Sequence, residues 1–125
     1  MRVKQSLLAV LILGGLNQTA NAMTEKEIRS TIADKRVLLE TRFGIDFPLF
    51  YNANGTVIGD SSGFGISSYI TPKEAGKWWL KEQKLCQRFP TWHNGETRCF
   101  KLEKLGNNTF KWYQDNGNSG RAKVN

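Results

Sequence analysis

From residue 36 to the end, the chain is a series of short runs that alternate apolar and polar residues, each broken within a few positions by Gly, Asn, Ser or Pro. The runs are 36–42, 47–51, 56–60, 64–70, 77–82, 85–89, 97–104, 109–114 and a weak 121–124. A period of two sends successive side chains to opposite faces of a strand. The interruptions are turn residues: Gly44, Asn54-Gly55, Ser62-Gly63, Pro72, Pro90, Asn94-Gly95, Gly106-Asn107-Asn108 and Asn116-Gly117-Asn118. Many short strands at even spacing predict a mainly β domain, a small antiparallel barrel or sandwich. Asn54-Gly55 suits the positive-φ turns that match strand twist, so 47–51 and 56–60 are expected to form a hairpin.

One segment has a different period. Residues 24–34 read as a short N-terminal helix. Thr24 is a good N-cap and Glu27, three residues on, completes a capping box. Ile28 and Ile32 stand four apart and make one apolar stripe. A helix with a single buried face suits packing across the end or side of a sheet.

Residues 1–22 read as a secretory leader. Arg2 and Lys4 are its positive start, 7–16 its apolar centre, and Ala20-Asn21-Ala22 its small-residue cleavage site. The apolar stretch is short of the ~20 residues that span a bilayer. Cleavage is expected after Ala22, leaving 23–125 as a single β-rich domain, periplasmic or secreted, with no transmembrane segment. Losing Arg2 and Lys4 takes the net charge from +7 to +5. The remaining basic residues are dispersed, so neither a polybasic lipid patch nor nucleic-acid binding is expected. A modestly positive surface favours anionic envelope material or an acidic partner.

The two cysteines fit export. Cys86 and Cys99 are the only pair, and an oxidising compartment allows one disulfide. The pairing also decides a loop. A two-residue turn at Asn94-Gly95 places Cys86 and Cys99 four residues out of register, roughly 13 Å apart. A disulfide needs Cα atoms closer than ~7 Å. The disulfide therefore requires Cys86 opposite Cys99 and a six-residue loop from Pro90 to Gly95. Pro90 also favours leaving the ladder there.

Candidate contact residues are aromatic and basic. Trp78, Leu80 and Gly76 share a core face, whereas Lys77, Trp79 and Lys81 share the other. An indole between two lysines offers stacking together with anion contact. Trp92 and His93 lie in the loop 90–95, the second candidate, although a loop Trp is more often folded over the barrel end. Phe110 and Trp112 read as inward, Lys111 and Tyr113 as outward, and Phe100, Leu102 and Leu85 as core.

Catalytic chemistry finds little to stand on. A single His93 and two cysteines fall short of the ~4 ligands of a structural zinc site, so no metal is expected. The serines lack a nucleophile elbow. The glycine-rich stretches open no predicted helix, so no phosphate loop and no cofactor are expected. Paired carboxylates are not legible from spacing, although Asp60 and Glu74 are free to meet in space.

The order of signals is suggestive as a set. Glu27-Ile28-Arg29-Ser30-Thr31-Ile32-Ala33-Asp34-Lys35 is followed by Phe50-Tyr51-Asn52-Ala53-Asn54-Gly55-Thr56-Val57. Then come Ala75-Gly76-Lys77-Trp78, Leu85-Cys86 and Glu96-Thr97-Arg98-Cys99. This resembles a family of small exported proteins of rhizobia and related alphaproteobacteria, of unknown function, with a short helix, an Asn-Gly-Thr-Val hairpin, a Gly-x-Trp strand and two cysteines. The chain departs from that pattern at Trp79 and over 61–68. The resemblance implies a periplasmic or secreted β domain with a disulfide and supplies no catalytic residue.

The expected function is that of a non-enzymatic binding protein of the bacterial envelope, contacting an envelope component or protein partner through Trp79, Lys77, Lys81, Trp92 and His93. Two rival expectations are a small secreted hydrolase inhibitor, by fold analogy, and an enzyme with a carboxylate cleft. A deep polar pocket with converging Asp or Glu would mark the last.

Overall fold

The computed structural model describes residues 22–41, 44–62 and 73–125. The leader up to Asn21 and the run 64–70 lie outside the described residues. One helix, α1 (Glu25–Ile32), precedes eight strands: β1 (Lys35–Leu39), β2 (Phe47–Tyr51), β3 (Thr56–Asp60), β4 (Lys73–Lys81), β5 (Lys84–Arg88), β6 (Arg98–Gly106), β7 (Thr109–Gln114) and β8 (Ser119–Val124). Each strand pairs antiparallel with the next, and β8 pairs with β1 through Val37–Val124 and Leu39–Ala122. The sheet thus closes into a barrel, which settles the choice between barrel and sandwich. Closure removes the free edges that an open sheet of short strands would expose.

The alternation does the sorting. Val37, Leu49, Tyr51, Val57, Trp78, Leu85, Phe89, Leu102, Phe110 and Ala122 are buried in one core cluster. The hairpin 47–51/56–60 forms as expected, with Phe50 opposite Ile58. Strand β4 starts at Lys73, four residues before the expected run. Ala75 and Gly76 look like poor strand formers, but a side chain at Gly76 would lie 2.4 Å from the Arg88 carbonyl oxygen. The absence of a side chain is what lets β4 continue there. The weak run 121–124 is a full strand from Ser119, and it closes the barrel.

The helix obeys its sequence signals. Thr24 accepts a bond from the Glu27 N–H at 3.1 Å, and the Glu27 carboxylate accepts from the Thr24 N–H at 2.9 Å. The helix stops at Ile32, two residues before the expected end, because Ala33 is already extended and Asp34 is left-handed at φ 60°. Ile28 and Ile32 are fully buried. The helix caps the end of the barrel where β1 starts and β2 ends. Two polar clasps fix it there. The Glu25 N–H donates to Gln83 Oε1 at 2.8 Å, and the Gln83 N–H returns a bond to Glu25 Oε2 at 3.0 Å. On the other side the Asp34 N–H donates to the Tyr51 carbonyl, and Asp34 Oδ1 accepts from the Ala53 N–H. Met23 is also buried here, its N–H bonded to the Leu102 carbonyl at 2.9 Å.

Cys86 and Cys99 are directly opposed and form a disulfide, with Cα atoms 4.0 Å apart. Gln87 faces Arg98 in the same ladder, so the expected register is adopted, but the strands end at Arg88 and resume at Arg98, which makes the connection longer than the expected 90–95. Among the described residues no helix is long and apolar enough to cross a membrane.

Candidate functional site

At the end opposite the helix, the loop between β5 and β6 divides the barrel mouth in two. Residues Trp92–Gly95 form a tight kinked turn, not a regular helix, in which His93, Asn94 and Gly95 all have positive φ. That left-handed run is unfavourable for His and Asn by a modest amount. It throws the Trp92 ring inward. The ring packs edge-on against Phe47 at 5.7 Å and tilted on Phe89 at 4.9 Å. It fits because β3 carries Gly59: a Cβ there would stand 2.4 Å from the Trp92 ring.

Glu74 holds the loop in this position. Its carboxylate is buried inside the barrel wall and accepts from the Thr91 hydroxyl, the Thr91 N–H and the Trp92 N–H, the last two at 2.7 and 3.2 Å. Burial pushes the Glu74 pKa up, but these three donors outweigh it and hold the group below its ordinary value. Arg88 adds a bond from its Nε to the Gly95 carbonyl at 2.8 Å. Asp60 and Glu74 do not meet. They sit on adjacent strands but opposite faces, Asp60 outward, where it accepts from the Ser62 N–H and hydroxyl and faces Lys73 at 4.0 Å.

The other half of the mouth opens into a cavity of about 270 Å³ within the lumen. Its floor and walls are apolar: Val37, Leu39, Leu49, Leu85, Leu102 and Phe110. Phe100 and Trp112 meet edge-on at 5.6 Å on one side. Its polar groups gather toward the mouth. These are Gln87, His93, Arg98, Gln114 and Asn118. Deeper in, the Tyr51 hydroxyl donates to Gln87 Oε1 at 2.6 Å, and burial pushes that phenol well above its ordinary pKa. Among the described residues no Asp or Glu lines this cavity, and no cluster of three or more His, Cys, Asp or Glu is placed to hold a metal.

Two donors on this wall are unpaired. Arg98 Nε and Trp112 Nε1 are both buried without a hydrogen-bond partner. Most buried polar atoms in proteins are paired, and an unpaired one costs about 1–3 kcal/mol. The Arg98 guanidinium has one loose ionic neighbour, Glu96, with Nη2 to Oε1 at 3.8 Å. Burial at the mouth depresses the His93 pKa, and the Arg98 charge lowers it further, against a smaller opposing pull from Glu96.

The residues expected to form one contact surface are distributed over three places. Trp79 is half-buried on the outer wall opposite Cys86, and lines a shallow groove with Lys77 and Arg88. Lys81 is exposed at the helix end of the same strand. Trp92 points into the barrel, and His93 stands at the lumen mouth. Sequence reasoning passed over Arg98, Gln87 and Gln114. The signal for them was present: the alternation that sends Leu85, Phe100 and Trp112 inward also sends Gln87, Arg98 and Gln114 inward.

No family model, no curated protein and no solved structure matches the chain.

Proposed function

We propose that this is an exported, non-enzymatic binding protein of the bacterial envelope, and that its site is the barrel lumen, not the outer wall around Trp79. The observation that carries the reading is the 270 Å³ cavity, apolar below and polar at its mouth, on the half of the barrel that Trp92 leaves unfilled. Binding sites for small molecules have this form: a mostly apolar concavity with a few placed polar groups. Native cores of this size are otherwise packed to a density of about 0.75 with few voids. Among the described residues the cavity wall carries no carboxylate, which favours binding over acid–base hydrolysis.

Titration with a small single-ring probe such as benzyl alcohol tests the reading. Resonances of Leu85, Phe100, Leu102 and Phe110 should shift together. Leu39→Trp, which fills the cavity from its half-buried wall, should abolish the shifts while the far-UV spectrum stays that of the barrel. Shifts confined to residues around Trp79 and Lys77 would move the site to the outer wall and defeat the proposal.

A further inference from the structure

The lumen also carries information about the head group of its occupant. A cavity of 150 Å³ accommodates one benzene ring. At about 270 Å³ this one has room for a ring or short alkyl body with a substituent of a few atoms. The body faces Leu49, Leu85, Leu102 and Phe110. The substituent faces the mouth, where Arg98 lines the cavity with a side chain that is 26% exposed. The amide nitrogen of Gln87 is a second donor, since its oxygen is taken by the Tyr51 hydroxyl. Arg98 brings a full positive charge, and the one carboxylate near it, Glu96, is held at 3.8 Å with a side chain 64% exposed. Glu96 is therefore a weak, solvated counter-ion and not a buried partner.

We propose that the lumen binds a small amphiphilic carboxylate, its apolar body in the cup and its carboxylate on the Arg98 guanidinium, with the Gln87 amide nitrogen as a second donor. This rests on the lumen being the binding site. The guanidinium fork matches a carboxylate, and charge-assisted bonds of this kind are about twice as strong as neutral ones. The bound carboxylate competes with Glu96, which stands 3.8 Å from the Arg98 guanidinium. An amide or alcohol keeps the apolar contacts but loses the charge. An amine meets Arg98 with like charge and is repelled.

The experiment compares 3-phenylpropanoate, 3-phenylpropanamide and 3-phenylpropylamine by shift titration of the folded protein. The acid should bind about tenfold more tightly than the amide, and the amine most weakly. Arg98→Gln should erase the difference between acid and amide while the amide keeps its affinity, and Arg98→Lys should restore part of it. Glu96→Gln, a change at the exposed rim, should tighten the acid about twofold and leave the amide unchanged, because it frees Arg98. Equal binding of acid and amide, or preference for the amine, overturns the carboxylate assignment and leaves the lumen as a neutral site. Absence of any lumen shift with all three overturns the lumen reading itself, so the two failures are distinguishable. An equal gain for acid and amide in Glu96→Gln, or no gain, overturns the assignment to Arg98.

Discussion

The two ends of the barrel are closed by different means. At the helix end Ile28, Ile32 and Met23 are buried against the core, and every polar group named there has a partner, from the Glu25–Gln83 clasp to the Trp78 indole N–H on the Asn52 carbonyl at 2.7 Å. The Arg29 guanidinium even lies over the Trp78 ring at 5.0 Å. At the other end Trp92 packs on Phe47 and Phe89, and beside it lies the cavity lined by Arg98 and Trp112, with three buried donors left unpaired, Trp92 Nε1, Arg98 Nε and Trp112 Nε1. The helix end is held by paired polar groups, whereas the mouth leaves hydrogen bonds unmade, as the proposed binding role would require.

The contrast is broken most forcefully at the helix. Ile32→Ala removes a fully buried side chain that plugs the barrel, and should cost about 3–4 kcal/mol in denaturant unfolding. Gln114→Ala at the mouth should cost less than about 1 kcal/mol, because its side chain has no tightly packed place to vacate. Similar losses at both ends would mean that the mouth is part of the structural core.

Reduction of the disulfide comes next. Cys86–Cys99 closes a loop of 13 residues' separation that contains the whole Trp92 turn. Chain-entropy arguments put its contribution at about 3 kcal/mol. Reduction should loosen the β5–β6 hairpin first, seen as faster amide exchange at Gln87 and Arg98 with α1 still protected. Loss of protection at α1 before the hairpin would reverse the ranking of the two ends.

The helix end was almost fully legible in the sequence, and the mouth only in part. Thr24, Glu27, Ile28 and Ile32 are close in the chain, and their roles follow from local spacing alone. The barrel register around Cys86 and Cys99 was also legible, because a covalent distance excluded the shorter loop. That a loop Trp folds over the barrel end was legible, but what holds Trp92 there was not, since it depends on Gly59 and Glu74 from distant strands leaving room and supplying acceptors. Arg98 was hidden for another reason. It stands at a position where alternation points inward, but polar residues there read as exceptions to a core pattern until a cavity gives them a role.

Glu74 allows an intermediate test, since it is the support that decides which half of the mouth Trp92 fills. Its pKa is held below the ordinary 4.5, so its ionised form contributes stability above that pH, and the contribution is lost as pH falls from 4.5 through the depressed value. Between pH 5 and 3 the wild type should therefore lose more stability than Glu74→Gln, which is destabilised by about 1–3 kcal/mol at neutral pH and flatter in acid. Trp92 fluorescence should move toward the exposed range in the same interval. Parallel acid profiles for the two proteins would remove Glu74 as the support.

The smallest expected effect lies at His93, and it tests whether the mouth is tuned for an anion. Partial burial first and the Arg98 charge second hold the imidazole below its ordinary 6.5, with Glu96 opposing, so the ring is mostly neutral at pH 7. A carboxylate bound on Arg98 adds negative charge beside that ring and raises its pKa. Binding then takes up protons, and by linkage the affinity rises as pH falls from about 8 through the His93 range. The gain stops once the free protein is itself protonated, and it reverses when the ligand's own carboxyl takes a proton near ~4.5. Because the ring is solvent-accessible and screened, the gain should be about threefold at most. His93→Asn should flatten the profile between pH 8 and 6 while the acid-over-amide preference, which belongs to Arg98, persists. A profile that stays steep in His93→Asn assigns the proton to another group and leaves the mouth with one anion-sensing residue instead of two.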